Sequence, residues 1–514
     1  MGEEVRGVRA TPASPSLGEA RKWNLFLQNP VEISIFDSRR FCTLPASFSL
    51  TRLCMRFCNA KNSAPAGKML RMMAVFAHKW SQEAVRSLTS AIGFIVFALL
   101  DLLDFILCIF YCFIDGLVEV NTSSCYCQDR GAQRANVNGD KEAEISETLY
   151  RRKSIFRGLG FPKLRVKRED SIKRGSLVVN RWSDCNCESC VSWQLNGDEK
   201  LHVVVREPSP PDTNGNCKGK PAENVIFLHG FLSSSSLWIE TVFPNLSEPV
   251  KQRYRLFAVD LLGFGRSPKP RDCLYTLKDH LEMIEKSVID QFQLNSFHLV
   301  AHSMGCIIAL ALAARYSKSL KSITLIAPPY FPSSKDNASL IALNRLAGRK
   351  LWPPLLFGSS VMSWYEHVGR SICFLVCRNH CRWEWILKLL TRSDLHFMVV
   401  DLSKHTHHSA WHTMHNVICG GAKLMDEYLE SLNKEGVLVT IMQGDKDQVV
   451  PFECSHNMKL KVPLAEIKTI SNADHTTVIT GREKEFMKDL EQIWYFCGKL
   501  KLEKGCAQKD GSTC

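Results

Sequence analysis

From about residue 200 onward the chain alternates short apolar runs with helix-like stretches, and nothing else in it limits the fold as tightly. LHVVVRE (201–207), NVIFLHG (224–230), YRLFAVD (254–260), SFHLVAH (296–302), KSITLIA (321–327), GVLVTIM (436–442) and AEIKTI (465–470) have the length and the β-branched content of strands. Several are apolar without polar alternation, as strands covered on both faces must be. TLKDHLEMIEKSVIDQF (276–292) and MGCIIALALAARYS (304–317) have the composition of helices. The pattern predicts an α/β fold, a mostly parallel sheet with helices on both faces. Its core is expected over 200–330 and 434–497, with a tail at 498–514. Between the halves, residues 331–433 are rich in Trp, Leu and His and follow the C-terminal end of a strand. Ligands bind at that edge of such sheets, so the insertion reads as a helical lid.

Where SFHLVAH meets the next helix the sequence is Ala301-His302-Ser303-Met304-Gly305. A nucleophile elbow has the form Gly-x-Ser-x-Gly, a strand-to-helix turn that needs small residues on either side of the serine. Gly305 fits. Ala301 departs by one methyl, which crowds the turn without excluding it. Ser303 therefore reads as a nucleophile, against the plainer reading of a helix N-cap. A serine hydroxyl needs a base, and in this fold an acid and then a histidine follow the serine along the chain. GDKDQVVP (444–451) supplies Asp447, with Asp445 as the competing acid, and ADH (473–475) supplies His475. Both loops leave the C-terminal ends of strands, on the same edge as Ser303. His475 would take the serine proton and return it to the leaving group, while Asp447 orients the ring. An ordinary loop histidine is the alternative. Asp474 should point elsewhere, and His302 is too near the serine in the chain to be its base. The oxyanion needs two donors. The backbone N–H groups of Met304 and Phe231 are the candidates, with Gly230 leaving room for substrate, unless His229-Gly230-Phe231 is a plain turn.

The N-terminal part is different in kind. Residues 1–68 lack a sustained period and are expected to be poorly ordered. Met69, Met72 and Met73 then precede a basic and an apolar stretch, a layout resembling a protein start, which marks 1–68 as an extension. Leu88 to Val118 is long and apolar enough to cross a bilayer of about 30 Å. Asp101 and Asp104 interrupt it, three residues apart and so on one helical face, which would turn toward a partner or the interface. Residues 69–120 thus read as a basic flank and membrane anchor, with an interfacial hairpin, a cleaved signal and a buried helix as alternatives. Lys68, Arg71, Lys79 and Arg86 precede the segment, so the positive-inside rule leaves the remainder lumenal or extracellular. Sequons at Asn121, Asn245 and Asn337 agree with a secretory route. The net charge of +13 is concentrated in 151–174, inside a Cys-containing linker over 121–199. That run lacks the periodicity of a reading helix. It reads as a solvated linker or a contact for anionic lipid headgroups, and no nucleic-acid partner is expected.

Two clusters have metal-like density. Cys185, Cys187 and Cys190 follow Cys125 and Cys127, but zinc wants four ligands and the sequence supplies no clear second pair, so thiols or disulfides are expected. His408, His412 and His415 share a helical face in the lid but lack a carboxylate. No metal and no cofactor is expected.

HGF at 229–231, DLLGFGRS at 260–267, AHSMG at 301–305, GDKDQVVP at 444–451 and ADH at 473–475 together resemble the α/β-hydrolase fold with a serine nucleophile. RWSDCNCESCVSW (181–193), LHVVVREP (201–208), HGFLSSSSLW (229–238) and DLLGFGRSPKP (260–270), behind an apolar N-terminal segment, narrow this to a resemblance to the plant BODYGUARD family. It spans about Met72 to Phe496. The resemblance implies a lysophospholipase-like protein of cuticle and cutin formation at the cell membrane or in the extracellular wall. The expectation is a serine hydrolase of long-chain carboxylic esters. The alternatives are an acyltransferase building cutin polyester, or a non-catalytic receptor or scaffold on the same fold. None of these motifs bears on oligomeric state.

Overall fold

The computed structural model describes residues 64–119, 145–150, 181–195, 200–209 and 222–510. The sequon at Asn121, Cys125, Cys127, the basic run at 151–174 and nearly all of the 1–68 extension lie outside them. The chain divides into two units, Met1–Val85 and Arg86–Cys514. The sheet, the lid and the motifs named above all belong to the second unit. Helix α1, Ala64–Val118, runs through the boundary. Next come α2 (Glu188–Leu195), β1 (Val203–Arg206), β2 (Glu223–Leu228), α3 (Ser236–Thr241), α4 (Glu248–Arg253) and β3 (Tyr254–Val259). They are followed by α5 (Leu277–Ile284), β4 (Phe297–His302), α6 (Met304–Arg315) and β5 (Leu320–Ile326). The insertion contains α7 (Ala338–Ala347), α8 (Pro354–Trp364), α9 (Glu366–Leu375), α10 (His380–Thr391), α11 (Phe397–Asp401) and α12 (His407–His412). The chain closes with α13 (Met425–Lys434), β6 (Leu438–Gly444), α14 (Glu453–Lys461), β7 (Glu466–Ile470) and α15 (Glu483–Asp510).

The seven strands form one sheet in the order β1-β3-β2-β4-β5-β6-β7. β1 pairs antiparallel with β3 at the edge, and every other pairing is parallel. β2 and β4 lie in the middle, and all six residues of β4 are buried, which accounts for the mostly apolar runs VIFL in β2 and LVA in β4. Successive side chains of β2 enter opposite layers, as the two-residue period of a strand requires. Ile226 and Leu228 join the layer built on α5, α6 and α13. Val225 and Phe227 join the one with Trp238, Phe486 and Trp494 from α3 and α15. Each fully buried Leu, Ile or Phe in these layers contributes roughly 1.5–3 kcal/mol, so the two layers fix the sheet and the C-terminal edge it presents.

Four boundaries differ from the expectations. Residues 276–292 are not one regular helix: α5 gives way to a π-helical stretch at Glu285–Ile289, which lets the Ser287 hydroxyl accept the Leu201 N–H at 2.8 Å. The insertion ends before 433, because α13 flanks the sheet, with Leu429 and Leu432 buried beside α6. The tail is helical, since α15 continues to Asp510. Parts of the 121–199 linker are folded: the Ser146 N–H donates to Asn416 Oδ1 at 3.1 Å, and Leu149 packs with Trp411.

One side of α1 packs on the lid. Phe97 meets Val361, Tyr365 and Val368. Asp104 Oδ1 accepts the backbone N–H groups of His367 and Val368 at the start of α9, at 2.8 and 3.3 Å. Asp101 lies 3.5 Å from Arg349. Asp115 takes two hydrogen bonds from Arg370, at 2.6 and 2.8 Å, and one from the Trp182 indole at 2.7 Å. The partner of the acidic face is thus the lid of the same chain. The other side leaves Leu88, Phe94, Leu99, Ile106, Phe113 and Leu117 exposed.

Candidate active site

β4, β6 and β7 each end at the same edge, and one side chain of interest follows each. After β4 the chain turns at Ser303, with φ +53° and ψ −120°. This is a left-handed conformation for a residue with a Cβ, of a kind that costs about 1–3 kcal/mol. The Ser303 N–H donates to the Ile326 carbonyl at 2.8 Å, which anchors the turn to β5. Small neighbours permit it. A Cβ on Gly305 would sit 2.6 Å from the His229 carbonyl oxygen, and one on Gly230 would sit 3.2 Å from Ser303 Cβ. Ala301 is fully buried, and in β4 it lies opposite Leu228 and Leu325. The extra methyl therefore enters the core layer and not the turn.

Ser303 Oγ is 2.9 Å from His475 Nε2, and His475 Nδ1 is 2.8 Å from Asp447 Oδ2. An ionised carboxylate only accepts. Nδ1 therefore donates to Asp447, and Nε2 is left to accept the serine proton. Asp447 Oδ1 accepts the N–H groups of Val449 and Val450 at 2.9 Å each, and Gln443 Nε2 donates to Oδ2 at 3.0 Å. The Ser455 hydroxyl in turn holds Gln443 Oε1 at 2.9 Å. The carboxylate side chain is completely buried, so no water competes for these bonds. Asp445 is exposed and its side chain is not part of this chain of bonds. Asp474 turns away and accepts the Thr476 and Thr477 N–H groups at 2.9 and 2.8 Å. Although burial alone would raise its pKa, these bonds hold Asp474 below the usual carboxylate range.

Met304 is the first residue of α6, where backbone N–H groups have no partner within the helix. Phe231 follows the β2 turn and packs edge-on to Phe264, 5.8 Å between centroids. That turn is fixed from below. His229 Nε2 accepts the Leu261 N–H at 2.9 Å, and its Nδ1 donates to the Gly230 carbonyl at 2.7 Å. Asp260 accepts the N–H groups of Ser235 and Arg266 at 2.6 and 2.7 Å. Burial opposes its charge, but the His202 contact, the nearby His229 and these bonds hold its pKa far below the ordinary value. The GFG of DLLGFGRS is required here, because Gly265 has φ +54° and a Cβ on it would lie 2.4 Å from Asp260 Oδ2.

One contributor is missed by sequence reasoning. His302 Nε2 is 2.9 Å from the His475 carbonyl oxygen. Burial, then the neighbouring His475, push His302 down to about 3. It is therefore neutral, and its N–H holds the histidine loop in place. Adjacency to Ser303 excludes it as a base but says nothing of this role.

Each of the three lid histidines His408, His412 and His415 bonds a group outside its own helix. His408 and His412 bond the carbonyls of Cys273 and Leu274 at 2.9 and 3.1 Å, and His415 bonds Thr148 Oγ1 at 3.0 Å. They pin the insertion to the core, and the His408 and His412 rings lie 4.2 Å apart, centroid to centroid. Of the sequons, Asn337 is exposed, whereas the Asn245 amide donates to the Thr241 carbonyl at 2.7 Å.

A strand-turn-helix serine bonded to a histidine from a later strand end, on a mostly parallel sheet, defines an α/β hydrolase. Residues 223–353 match the family model for the alpha/beta hydrolase fold. The relatives narrow this. "Probable lysophospholipase BODYGUARD 4" of Arabidopsis thaliana is 52% identical over 416 residues, covering 79% of this chain and 97% of the relative. "Probable lysophospholipase BODYGUARD 5" of the same plant is 48% identical over 436 residues, covering 81% and 97%. The chain belongs to the BODYGUARD family. Among solved structures, MenH from S. aureus aligns over 58% of this chain and 99% of its own, at 17% identity and a TM-score of 0.40.

Proposed function

We propose that this chain hydrolyses carboxylic esters of long-chain acyl groups, lysophospholipid-like molecules among them, through an acyl-enzyme on Ser303. The unbroken bonds from Asp447 through His475 to Ser303 carry the reading. Ser303 Oγ attacks the ester carbonyl carbon as its proton passes to His475 Nε2. Asp447 offsets the charge on the imidazolium. The N–H groups of Phe231 and Met304 hold the oxyanion. Collapse of the intermediate expels the alcohol, which takes the proton from His475. Water then attacks the acyl-enzyme by the same route in reverse. If a hydroxy-acyl group replaces water, the product is an extended polyester, and product analysis with such an acceptor distinguishes the two outcomes. Free acid alone would count against transfer. The family resemblance supports a role in cutin and cuticle formation.

Membership in a family whose relatives are named lysophospholipases supports the lipid-like substrate. So do the exposed apolar residues of α1 and of the lid, such as Trp352, Leu355, Trp385 and Leu390. The cavity between Phe231 and the lid residues Met362, His407 and Trp411 is about 30 Å³, room for about one water. An acyl chain therefore enters as the lid shifts, and a lipid surface is where that shift is favoured. Membrane contact is through residues 88–118, which keep their acidic side on the lid and turn their apolar side to lipid. The catalytic domain lies in the secretory pathway, at the cell membrane or in the wall.

The test is labelling by a fluorophosphonate probe in detergent micelles. Wild type should label, and Ser303→Ala and His475→Ala should not. A folded wild type that stays unlabelled even at a lipid interface would leave the scaffold reading in its place.

A further inference from the structure

We propose that Cys185, Cys187, Cys190 and His380 form a structural zinc site that clamps the 181–195 segment to the lid. The three sulfurs and the imidazole nitrogen all lie within 4.8 Å of one another. His380 Nε2 is 3.5 Å from the Sγ atoms of both Cys187 and Cys190. Zinc binds thiolate at about 2.3 Å and imidazole at about 2.0–2.1 Å, and two such ligands at a tetrahedral angle stand about 3.5–3.6 Å apart. The observed spacing is thus the edge of a zinc tetrahedron.

Two further features point the same way. His380 Nδ1 lies 3.1 Å from Glu384 Oε1, one turn along α10. A carboxylate there fixes the ring tautomer that aims the Nε2 lone pair at the thiolates, the usual support for a zinc-bound histidine. The Cys187 N–H donates to Cys185 Sγ at 3.4 Å, a bond that suits a thiolate acceptor. The set is complete at four protein ligands, which is the mark of a structural site and not a catalytic one. His380 follows Cys190 by 190 residues. The ion would therefore close a long loop and join the segment before β1 to α10 of the insertion. Each cysteine binds as thiolate and releases its proton to solvent. This site is independent of the catalytic reading.

The experiment uses the full chain in detergent, purified without added metal or chelator. Zinc is measured by elemental analysis, and Co²⁺ exchange is followed through the thiolate-to-cobalt charge-transfer band. Wild type should hold about one zinc more than Cys185→Ser/Cys187→Ser, and the cobalt band of that variant should be weaker by the intensity of one site. Taking the difference removes any ion held by the separate group Cys373, Cys377 and His405. Both cysteines are changed together because Cys381 Sγ lies 3.6 Å from His380 Nε2 and could replace a single lost ligand. Glu384→Gln, at a partly exposed position, should keep the fold but weaken zinc about 10–100-fold in competition with a chromophoric chelator. Non-reducing peptide mapping of the wild type needs no variant. A disulfide between any two of the three cysteines, or a wild type without zinc or a cobalt band, would overturn the proposal.

Discussion

At Gly305 an added methyl would meet the carbonyl oxygens of His229 and Leu228, at 2.6 and 2.9 Å. These are backbone atoms that cannot turn aside, so Gly305→Ala must move α6 away from β2. We expect a loss of about 1–3 kcal/mol in urea unfolding, together with slower probe labelling, because the Met304 N–H moves with the helix. Two residues before the serine the same methyl is harmless, since Ala301 points into a packed layer. Ala301→Gly should leave the labelling rate within a factor of about two while costing roughly 0.5–1 kcal/mol, as a glycine in a buried strand does. A large rise in labelling would mean that the alanine does restrict the turn. His302→Ala removes the donor to the His475 carbonyl. Its expected signature is a fall in kcat of about tenfold with KM unchanged, the mark of a residue that positions the base without touching substrate. A KM raised about tenfold with kcat unchanged would refute that role.

Among the elements, α1 separates two jobs by face, and substitutions can separate them too. Arg370 is buried, and Asp115 is its carboxylate partner at 2.6 Å. Asp115→Asn leaves a buried guanidinium without its counter-charge, so a loss of about 3–5 kcal/mol is expected, read as a lowered Tm. Leu99→Lys and Phe113→Lys alter the exposed side. They should weaken binding to phosphatidylcholine vesicles in flotation while leaving Tm within a degree or two. Vesicle binding that survives both would mean that lipid is met elsewhere. The strands were legible because parallel strands buried on both faces read as mostly apolar runs, and β4 is buried across its whole length although it carries His298 and His302. The elbow and the loops after β6 and β7 were legible because chain order and small residues constrain them locally. Asp101 and Asp104 could be assigned to one face but not to a partner, since a helix has the same period whether protein or lipid covers it. His380 was invisible for the same reason: no local pattern connects it to a Cys cluster so far upstream. The early end of the insertion was missed because α13 differs from the lid helices in what it packs on, not in composition.

For the molecule as a whole, the buried histidines set the response to acid. Burial holds His280 down to about 4, and His302 and His412 down to about 3. An unfolded chain titrates its histidines near 6.5. Above that value neither state is protonated at these positions, and they add no pH dependence. Below it the unfolded state gains protons that the folded state refuses, so stability falls as pH drops. Each such histidine contributes a slope of roughly 1.4 kcal/mol per pH unit, and the three together about 4, down to pH about 4. Asp260 acts in a lower window. Its pKa is depressed in the fold, so its contribution is intact above the ordinary carboxylate value near 4 and is lost only below it. The two windows predict a particular curve. The urea midpoint should fall between pH 6.5 and 4.5, by less than the histidines alone would give, because burial raises Asp184 and Asp401 to about 6 and these carboxylates take up protons in the folded state over the same range. His412 joins the lid to the Leu274 carbonyl, so the first structure lost should be the docking of the insertion on the core, seen as exposure of Trp411 to a fluorescence quencher ahead of global unfolding. A midpoint unchanged from pH 7.5 to 5 would mean that these rings are hydrated or charged in the folded protein, and that the lid is not held to the core by neutral histidines.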